Sequence, residues 1–128
     1  MPTPQEVISD LILGIDHVGI AVQNLDKAIT NWETNFGAKL HSREINPEQG
    51  VEEALLKFTD GSKIQLLAAL TPDSAIGKFL AKHGEGIQQL ALRVSNLEMA
   101  TLRLSESKIN SVYESGKSGS NEIGRAHV

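Results

Sequence analysis

An internal repeat constrains this chain more than any other feature of its 128 residues. The segment GIDHVGIAVQNLDKA begins at Gly14, and a related segment, GIQQLALRVSNLEMA, begins at Gly86. Six of the fifteen aligned positions are identical, and most of the others keep their chemical character. Because the spacing is too long for one unit of a solenoid, we interpret the repeat as the duplication of a half-domain. The chain is therefore expected to fold as two related modules.

Each copy of the repeat has the pattern of a strand followed by a helix. Residues 15–22 are rich in β-branched side chains and alternate in character, which predicts a strand. Asn24 can cap the helix that follows, and Gly37 is placed to end it. Three further strands are predicted for the first module, over residues 38–44, 51–59 and 63–68. The first module is therefore predicted to be β-α-β-β-β, in an α+β domain.

The second copy predicts a second module, whose helix Asn96 can cap and whose next strand covers residues 109–113. A separate helix, capped by Ser74, is predicted to link the two modules. The predicted organisation is an N-terminal extension over residues 1–12 and a single domain over residues 13–128. Within that domain we expect the first module at about 13–71, the linking helix at about 74–84, the second module at about 86–121 and a tail at 122–128.

The composition excludes several classes of protein. The net charge is −4 and no block of Lys or Arg occurs, so neither nucleic acid nor an anionic membrane is an expected partner. The absence of cysteine excludes disulfides and zinc–thiolate sites, and it fits a reducing compartment. The first residues, MPTPQEVISDLILG, lack the pattern of a signal peptide, and no apolar run reaches the roughly 18 residues of a membrane span. We therefore expect a soluble, cytoplasmic protein.

His17 lies on the first predicted strand, where Gly19 and Ala21 share its face. A histidine followed by two very small residues is typical of a strand that lines a cavity, although a hydrogen-bonded core histidine fits the strand equally well. Gln89 occupies the corresponding place in the second copy, and its side chain also offers a lone pair. Two coordinating groups related by an internal twofold predict a metal ion between the modules.

Polar side chains also interrupt the later strands of the first module. Gln65 lies within the apolar stretch KIQLLAAL, where an unpaired buried amide costs about 1–3 kcal/mol, so it needs a cross-strand partner or a ligand. Glu52 and Glu53 are adjacent at the start of a strand and therefore point to opposite faces. Periodicity slightly favours Glu52 as the inward residue, and a solvated surface position is the ordinary role for either carboxylate.

Together these residues resemble the vicinal oxygen chelate superfamily and, within it, the methylmalonyl-CoA epimerases. The resemblance runs from about residue 14 to residue 119 and rests on the segments IDHVGIAV, NPEQGVEEALLKF, IQLLAAL and SAIGKFLAKHGEGI. The first segment marks only the superfamily, whereas the second and the GKFLAKHGEG linker are more specific to the epimerases. The resemblance implies paired β-α-β-β-β modules that form a half-open barrel around a metal site.

The resemblance also implies a role for each candidate residue. It places metal ligands at His17, Gln65 and Gln89, with a fourth carboxylate ligand on the last strand of the family. It places the catalytic acid/base at Glu53 rather than at Glu52. The implied reaction interconverts the epimers of methylmalonyl-CoA by proton abstraction at the α-carbon through a metal-stabilised enolate.

The sequence departs from the family pattern in two places. Gln89 stands where most members have histidine, and a neutral amide oxygen is expected to hold the metal more weakly. No residue of the sequence matches the fourth ligand. The final residues, EIGRAHV, match the translation of a common short-read sequencing adapter, so we interpret 122–128 as a non-native tail on a C-terminally truncated chain. The second module would then be incomplete, and these 128 residues are expected to have little or no activity.

The resemblance further implies a divalent metal such as cobalt or manganese, an acyl-CoA substrate, a homodimer and a place in propionate metabolism. Two other functions stay open: a glyoxalase-like lyase, and a metal-free small-ligand-binding module of the same fold. Metal content would separate the binding module from the two enzymes, and an epimerase assay would separate the enzymes from each other.

Overall fold

The computed structural model describes residues 7–107 and the backbone of residues 125–127. The elements among those residues are β1 (Ile12–Ala21), α1 (Leu25–Phe36), β2 (Lys39–Asn46), β3 (Val51–Lys57), β4 (Lys63–Ala69), α2 (Ala75–His83), β5 (Gly86–Val94), α3 (Leu97–Ser107) and β6 (Arg125–His127). The chain divides into two compact units. The core unit is His17–Gln89, and the terminal unit combines Met1–Asp16 with Leu90–Val128.

The core unit contains the first module of the duplication. Its strands lie in the order β2-β3-β4-β1, with β1 parallel to β4 and the other neighbours antiparallel. A parallel neighbour requires a crossover connection, and α1 with the β2–β3 hairpin provides it. The predicted β-α-β-β-β module and the α+β fold class are confirmed.

Local capping explains where the helices of the core unit begin and end. The side chain of Asn24 accepts a hydrogen bond from the backbone N–H of Lys27 at 3.0 Å, and Ser74 caps α2 in the same way. Gly37 ends α1 in the left-handed conformation, with φ of 74°, which glycine adopts without steric cost. These predicted helix ends are confirmed. Within the described residues, no helix is long and apolar enough to cross a membrane.

One face of the four strands of the core unit packs against α1, and we call it the α1 face. Alternate residues of β1, β3 and β4 supply it, since successive side chains of a strand point to opposite faces. Its apolar core excludes water almost completely, so it supplies most of the hydrophobic stabilisation of this unit. The buried members of that core are Val22, Leu25, Ile29, Ala38, Ala54, Leu56, Ile64, Leu66 and Ala68.

The opposite face of the same strands is the site face, because it holds the predicted site residues described below. The helix α2 covers one end of it through an apolar cluster. The buried members of that cluster are Ala21, Val51, Leu67, Ile76 and Leu80. The far end of β3, towards Lys57, lies away from this helix-covered end.

The terminal unit contains the later half of β5 and all of α3, which belong to the second copy of the repeat. The side chain of Asn96 accepts a hydrogen bond from a backbone N–H in the first turn of α3 at 2.9 Å, as its sequence predicts. Arg103 of α3 pairs with Asp10 at 2.5 Å, and this hydrogen bond lowers the pKa of the Asp10 carboxyl. The backbone of β6 pairs antiparallel with β5. The strand predicted over residues 109–113 lies outside the described residues, and the origin proposed for residues 122–128 stays a prediction.

Candidate functional site

The strand register brings the predicted site residues of the first module onto one face. Gly19 of β1 lies directly across from Gln65 of β4, and His17 lies two residues earlier on the same face. On the other side of β4, Gln65 lies across from Leu55 of β3. Glu53 is two residues from Leu55, so it shares the site face as well.

Side-chain hydrogen bonds connect Gln89, Gln65 and Glu53 into a chain. The amide Nε2 of Gln65 donates to the carboxylate Oε2 of Glu53 at 2.7 Å. The amide Nε2 of Gln89 lies 3.4 Å from Oε1 of Gln65, which makes a long and weak hydrogen bond. Since Gln65 donates to Glu53 through its nitrogen, its carbonyl oxygen is the atom left to meet Gln89 or a ligand. Gln65 therefore orients the Glu53 carboxylate.

Gly19 makes room for the side chain of Gln89. A Cβ atom added at Gly19 would lie 2.4 Å from Cγ and 2.9 Å from Nε2 of Gln89, distances at which one of the two residues must move. Gln89 therefore crosses directly over the backbone of β1 on its way to Gln65. The glycine two residues after His17, on the same face of β1, therefore has a specific reason, because a side chain at this position would displace the Gln89 amide.

The site face is unusual because it buries polar side chains. His17 is 1% exposed and Gln65 is 8% exposed, whereas Glu53 and Gln89 are half-buried. Buried polar groups are costly unless they are hydrogen-bonded or bound to a ligand. This part of the site face therefore has less apolar packing and offers donor and acceptor atoms instead.

The donor atoms on the site face could hold a cation only with the help of amide groups. Among the side chains that the structure describes, in residues 7–107, no group of three or more His, Asp or Glu lies close enough to hold a metal ion. The predicted ligand set consists instead of one imidazole and two amides, from His17, Gln65 and Gln89. Imidazole and carbonyl oxygen are both ordinary ligands of divalent first-row metals, so the chemistry of this set fits such an ion.

Glu52 lies on the α1 face, opposite to Glu53. Its carboxylate accepts from Arg43 at 2.9 Å, and Arg43 also contacts Asp26 of α1 at 2.6 Å. The Glu52 hydrogen bond, followed by the one to Asp26, raises the pKa of the Arg43 guanidinium. The periodicity that favours Glu52 as the inward residue detects the apolar core and does not detect the face that holds His17.

One carboxylate near the site was not expected from the sequence. Glu44 of β2 lies directly across from Glu53 of β3, so the two share the site face. The pairing follows from the register of the β2–β3 hairpin, which is regular from the Asn46–Val51 pair to the Ser42–Leu55 pair. Alternation within β2 alone does not show which residue of β3 each side chain meets, so Glu44 could not be identified from it.

Comparisons with known proteins identify the family of this chain. Residues 16–126 match the family model of the Glyoxalase/Bleomycin resistance protein/Dioxygenase superfamily. The human protein named methylmalonyl-CoA epimerase, mitochondrial, is 33% identical over 106 residues, which are 82% of this chain and 60% of the human protein. This chain therefore spans 60% of the length of that curated relative.

Solved structures give closer matches. Methylmalonyl-CoA epimerase from Mycobacterium tuberculosis is 46% identical, with a TM-score of 0.79 over 88% of this chain and 75% of that chain. A methylmalonyl-CoA epimerase in complex with methylmalonyl-CoA and NH4+ is 34% identical, with a TM-score of 0.76 over 86% of this chain and 79% of that chain. By sequence and by structure, this chain belongs to the glyoxalase/bleomycin resistance protein/dioxygenase superfamily and, within it, to the family of the methylmalonyl-CoA epimerases.

Proposed function

We propose that this protein is an epimerase that interconverts the two epimers of methylmalonyl-CoA or of a close acyl-CoA, with Glu53 as an acid/base. The names of the relatives support the reaction class, and one relative has been solved with methylmalonyl-CoA bound. The observation that carries the proposal is the 2.7 Å hydrogen bond by which Gln65 holds the Glu53 carboxylate on the polar site face. A carboxylate fixed in this way can meet a substrate proton in one defined orientation.

We assign to Glu53 the removal of the α-proton of the substrate. The carboxylate takes the α-proton, so that the C–H bond breaks, an O–H bond forms and the electron pair moves towards the thioester carbonyl. Return of a proton to the opposite face of the planar carbon completes the inversion. That return requires a second acid, and we assign this role to none of the described residues.

We propose His17, Gln65 and Gln89 as the residues that would hold a divalent cation such as cobalt or manganese. When bound, the cation would act as a Lewis acid that stabilises the negative charge developing on the substrate oxygens. All three side chains are neutral, so they lend the ion no opposing charge and are expected to bind it weakly. Gln65 would then serve the site twice, since its oxygen faces the ion while its nitrogen holds Glu53.

A coupled epimerase assay tests the proposal, with the protein expressed from its complete gene and supplied with Co²⁺ or Mn²⁺. We expect the protein to convert one epimer of methylmalonyl-CoA into the other far faster than the uncatalysed exchange of the α-proton. Failure to accelerate that conversion would overturn the proposal. Turnover of a glutathione hemithioacetal instead would assign a glyoxalase-like lyase, and ligand binding without turnover or metal would assign a binding module.

The homodimer and the cytoplasmic location expected from the sequence stay predictions. Sedimentation of the purified protein would test the first of them directly. We propose a dimer because the resemblance to the epimerases implies one, and a sedimentation coefficient of a monomer at micromolar concentration would contradict it. Localisation by fractionation of the source cells would test the second.

A further inference from the structure

Three lysines lie side by side on neighbouring strands at one end of the site face. Lys39 of β2 is directly across from Lys57 of β3, and Lys57 is directly across from Lys63 of β4. Residues paired across strands share a face, so this lysine row lies on the same face as Gln65 and Glu53. Gln65 follows Lys63 by two residues, and Glu53 precedes Lys57 by four.

Protection of a sheet edge, one ordinary structural reason for a surface lysine, does not explain the whole row. Like charges directly opposite each other destabilise a sheet, and the chain as a whole is acidic, with a net charge of −4. Lysine on an edge strand protects against aggregation, and that reason covers Lys39 on β2, the edge strand of the core unit. It does not cover Lys57 and Lys63, which lie on the inner strands β3 and β4 and are half-buried.

The position of the row relative to the acid/base is also informative. The helix α2 covers the end of the site face near Val51 and Leu67, and the lysine row lies at the opposite end of β3 and β4. Lys57 lies four positions after Glu53 along β3, which corresponds to about 13 Å between their Cα atoms. A ligand that places its reacting carbon at Glu53 can therefore reach the row only through a long arm.

We propose that the lysine row binds the phosphate groups of the CoA moiety while the acyl end lies at Glu53. The inference rests on the proposed function, because it takes acyl-CoA as the substrate. The carboxylate of the acyl group is attached to the reacting carbon and must lie close to Glu53, so about 13 Å is too far for it. The phosphates stand at the other end of the pantetheine arm, and lysine is a common point-charge partner of phosphate.

The test compares two variants that each replace one lysine by uncharged glutamine, one in the row and one on the opposite side of the sheet. Lys57→Gln removes a charge from the row, whereas Lys27→Gln removes one from an exposed position on α1. Binding of coenzyme A is measured by calorimetry with the protein expressed from its complete gene. Turnover is measured with methylmalonyl-CoA and with the N-acetylcysteamine thioester of methylmalonate, which keeps the carboxylate and the thioester but has no phosphate.

We expect Lys57→Gln to weaken coenzyme A binding and to raise KM for methylmalonyl-CoA by roughly three- to tenfold, an effect that fades at high salt. Lys27→Gln should change neither quantity, and kinetics with the thioester that lacks phosphate should be the same in both variants. Lys63→Gln should repeat the Lys57→Gln result, which guards against a local folding defect at one position.

Two results would overturn this assignment while leaving the proposed epimerase intact. The first is equal binding of coenzyme A by the Lys57→Gln and Lys27→Gln variants of an active enzyme. The second is an equal loss with the thioester that lacks phosphate, which would assign the row to the substrate carboxylate. Binding of coenzyme A that Lys57→Gln weakens and Lys27→Gln does not, in a protein without any epimerase activity, would instead support the lysine row and contradict the proposed function.

Discussion

The two faces of the same four strands in the core unit differ in what they bury. The α1 face buries an apolar core and keeps its charged groups at the rim, where Arg43 joins Glu52 to Asp26. The site face buries His17 and Gln65, and it holds a half-buried carboxylate by a hydrogen bond. Alternation along each strand therefore separates the residues of the α1 core from those proposed to take part in chemistry. Adjacent residues such as Glu52 and Glu53 consequently belong to different parts of the molecule.

The difference between the faces predicts that substitutions on the α1 face lower stability, whereas substitutions of the polar residues on the site face lower activity or ligand binding. A change on the α1 face removes buried apolar contacts, so it should lower the free energy of unfolding while the folded fraction keeps its activity. A change to Glu53, Gln65 or another polar residue of the site face removes an atom that we propose meets substrate or cation, so it should lower turnover or ligand affinity with less loss of stability. Matched pairs of variants, one on each face, test this difference.

The largest effect is expected from the two adjacent carboxylates. Glu53→Gln keeps an acceptor for the Gln65 amide but cannot take a proton, so we expect kcat to fall by about 10²–10⁴-fold. Glu52→Gln, on the other face, should stay within a few-fold of the unchanged protein. Steady-state kinetics on the protein expressed from its complete gene provides the measurement. Equal losses in the two variants would abolish the distinction between the faces.

The next effect concerns the core of the α1 face. Leu66 is fully buried there, so Leu66→Ala should cost about 2–5 kcal/mol of the free energy of unfolding. Denaturant unfolding gives that value, and kcat per folded molecule should remain near that of the unchanged protein. A variant of normal stability but low kcat would mean that the α1 face takes part in the chemistry.

A smaller effect separates two glycines of the core unit. In Gly19→Ala the new Cβ would meet the Gln89 side chain at 2.4 Å, so we expect Gln89 to turn away and cation affinity to fall by about tenfold. Gly86→Ala, on the same strand as Gln89, meets no atom within 4 Å and should bind the cation normally. Calorimetry with Mn²⁺ distinguishes them. Unchanged affinity in Gly19→Ala would remove Gln89 from the ligand set.

The smallest effect is expected at the rim of the α1 face. Arg43→Ala removes both ion pairs to Glu52 and Asp26, but these groups are close to solvent and their attraction is screened. We expect a fall in Tm well below that of Leu66→Ala, and less of it at high salt. Thermal unfolding at two salt concentrations checks this, and a salt-independent loss would indicate that Arg43 supports packing instead.

The sequence predicts local structure well because the signals are local. Asn24, Ser74 and Asn96 cap helices where expected, since an N-cap acts on backbone groups only two or three residues away. The order of strand and helix patterns along the sequence predicts the β-α-β-β-β module that the core unit contains.

The residues that face the site were harder to predict, because a face is set by pairing between distant strands. Alternation shows that Glu52 and Glu53 point in opposite directions, but it does not show which direction holds His17. The pairing of Glu44 with Glu53 becomes visible only in the register of β2 with β3, and the lysine row only in the register of three strands. The resemblance to the epimerases selected Glu53 because it adds information that the strand pattern lacks.

The most direct test of the central claim is a crystal structure of the protein with a methylmalonyl-CoA analogue bound. We expect a carboxylate oxygen of Glu53 within hydrogen-bond reach of the position of the α-proton, about 2.6–3.2 Å or one water away. We also expect Glu52 to remain paired with Arg43 on the α1 face. A substrate whose α-carbon lies on the site face but out of reach of Glu53 would contradict the assignment of Glu53 as the acid/base.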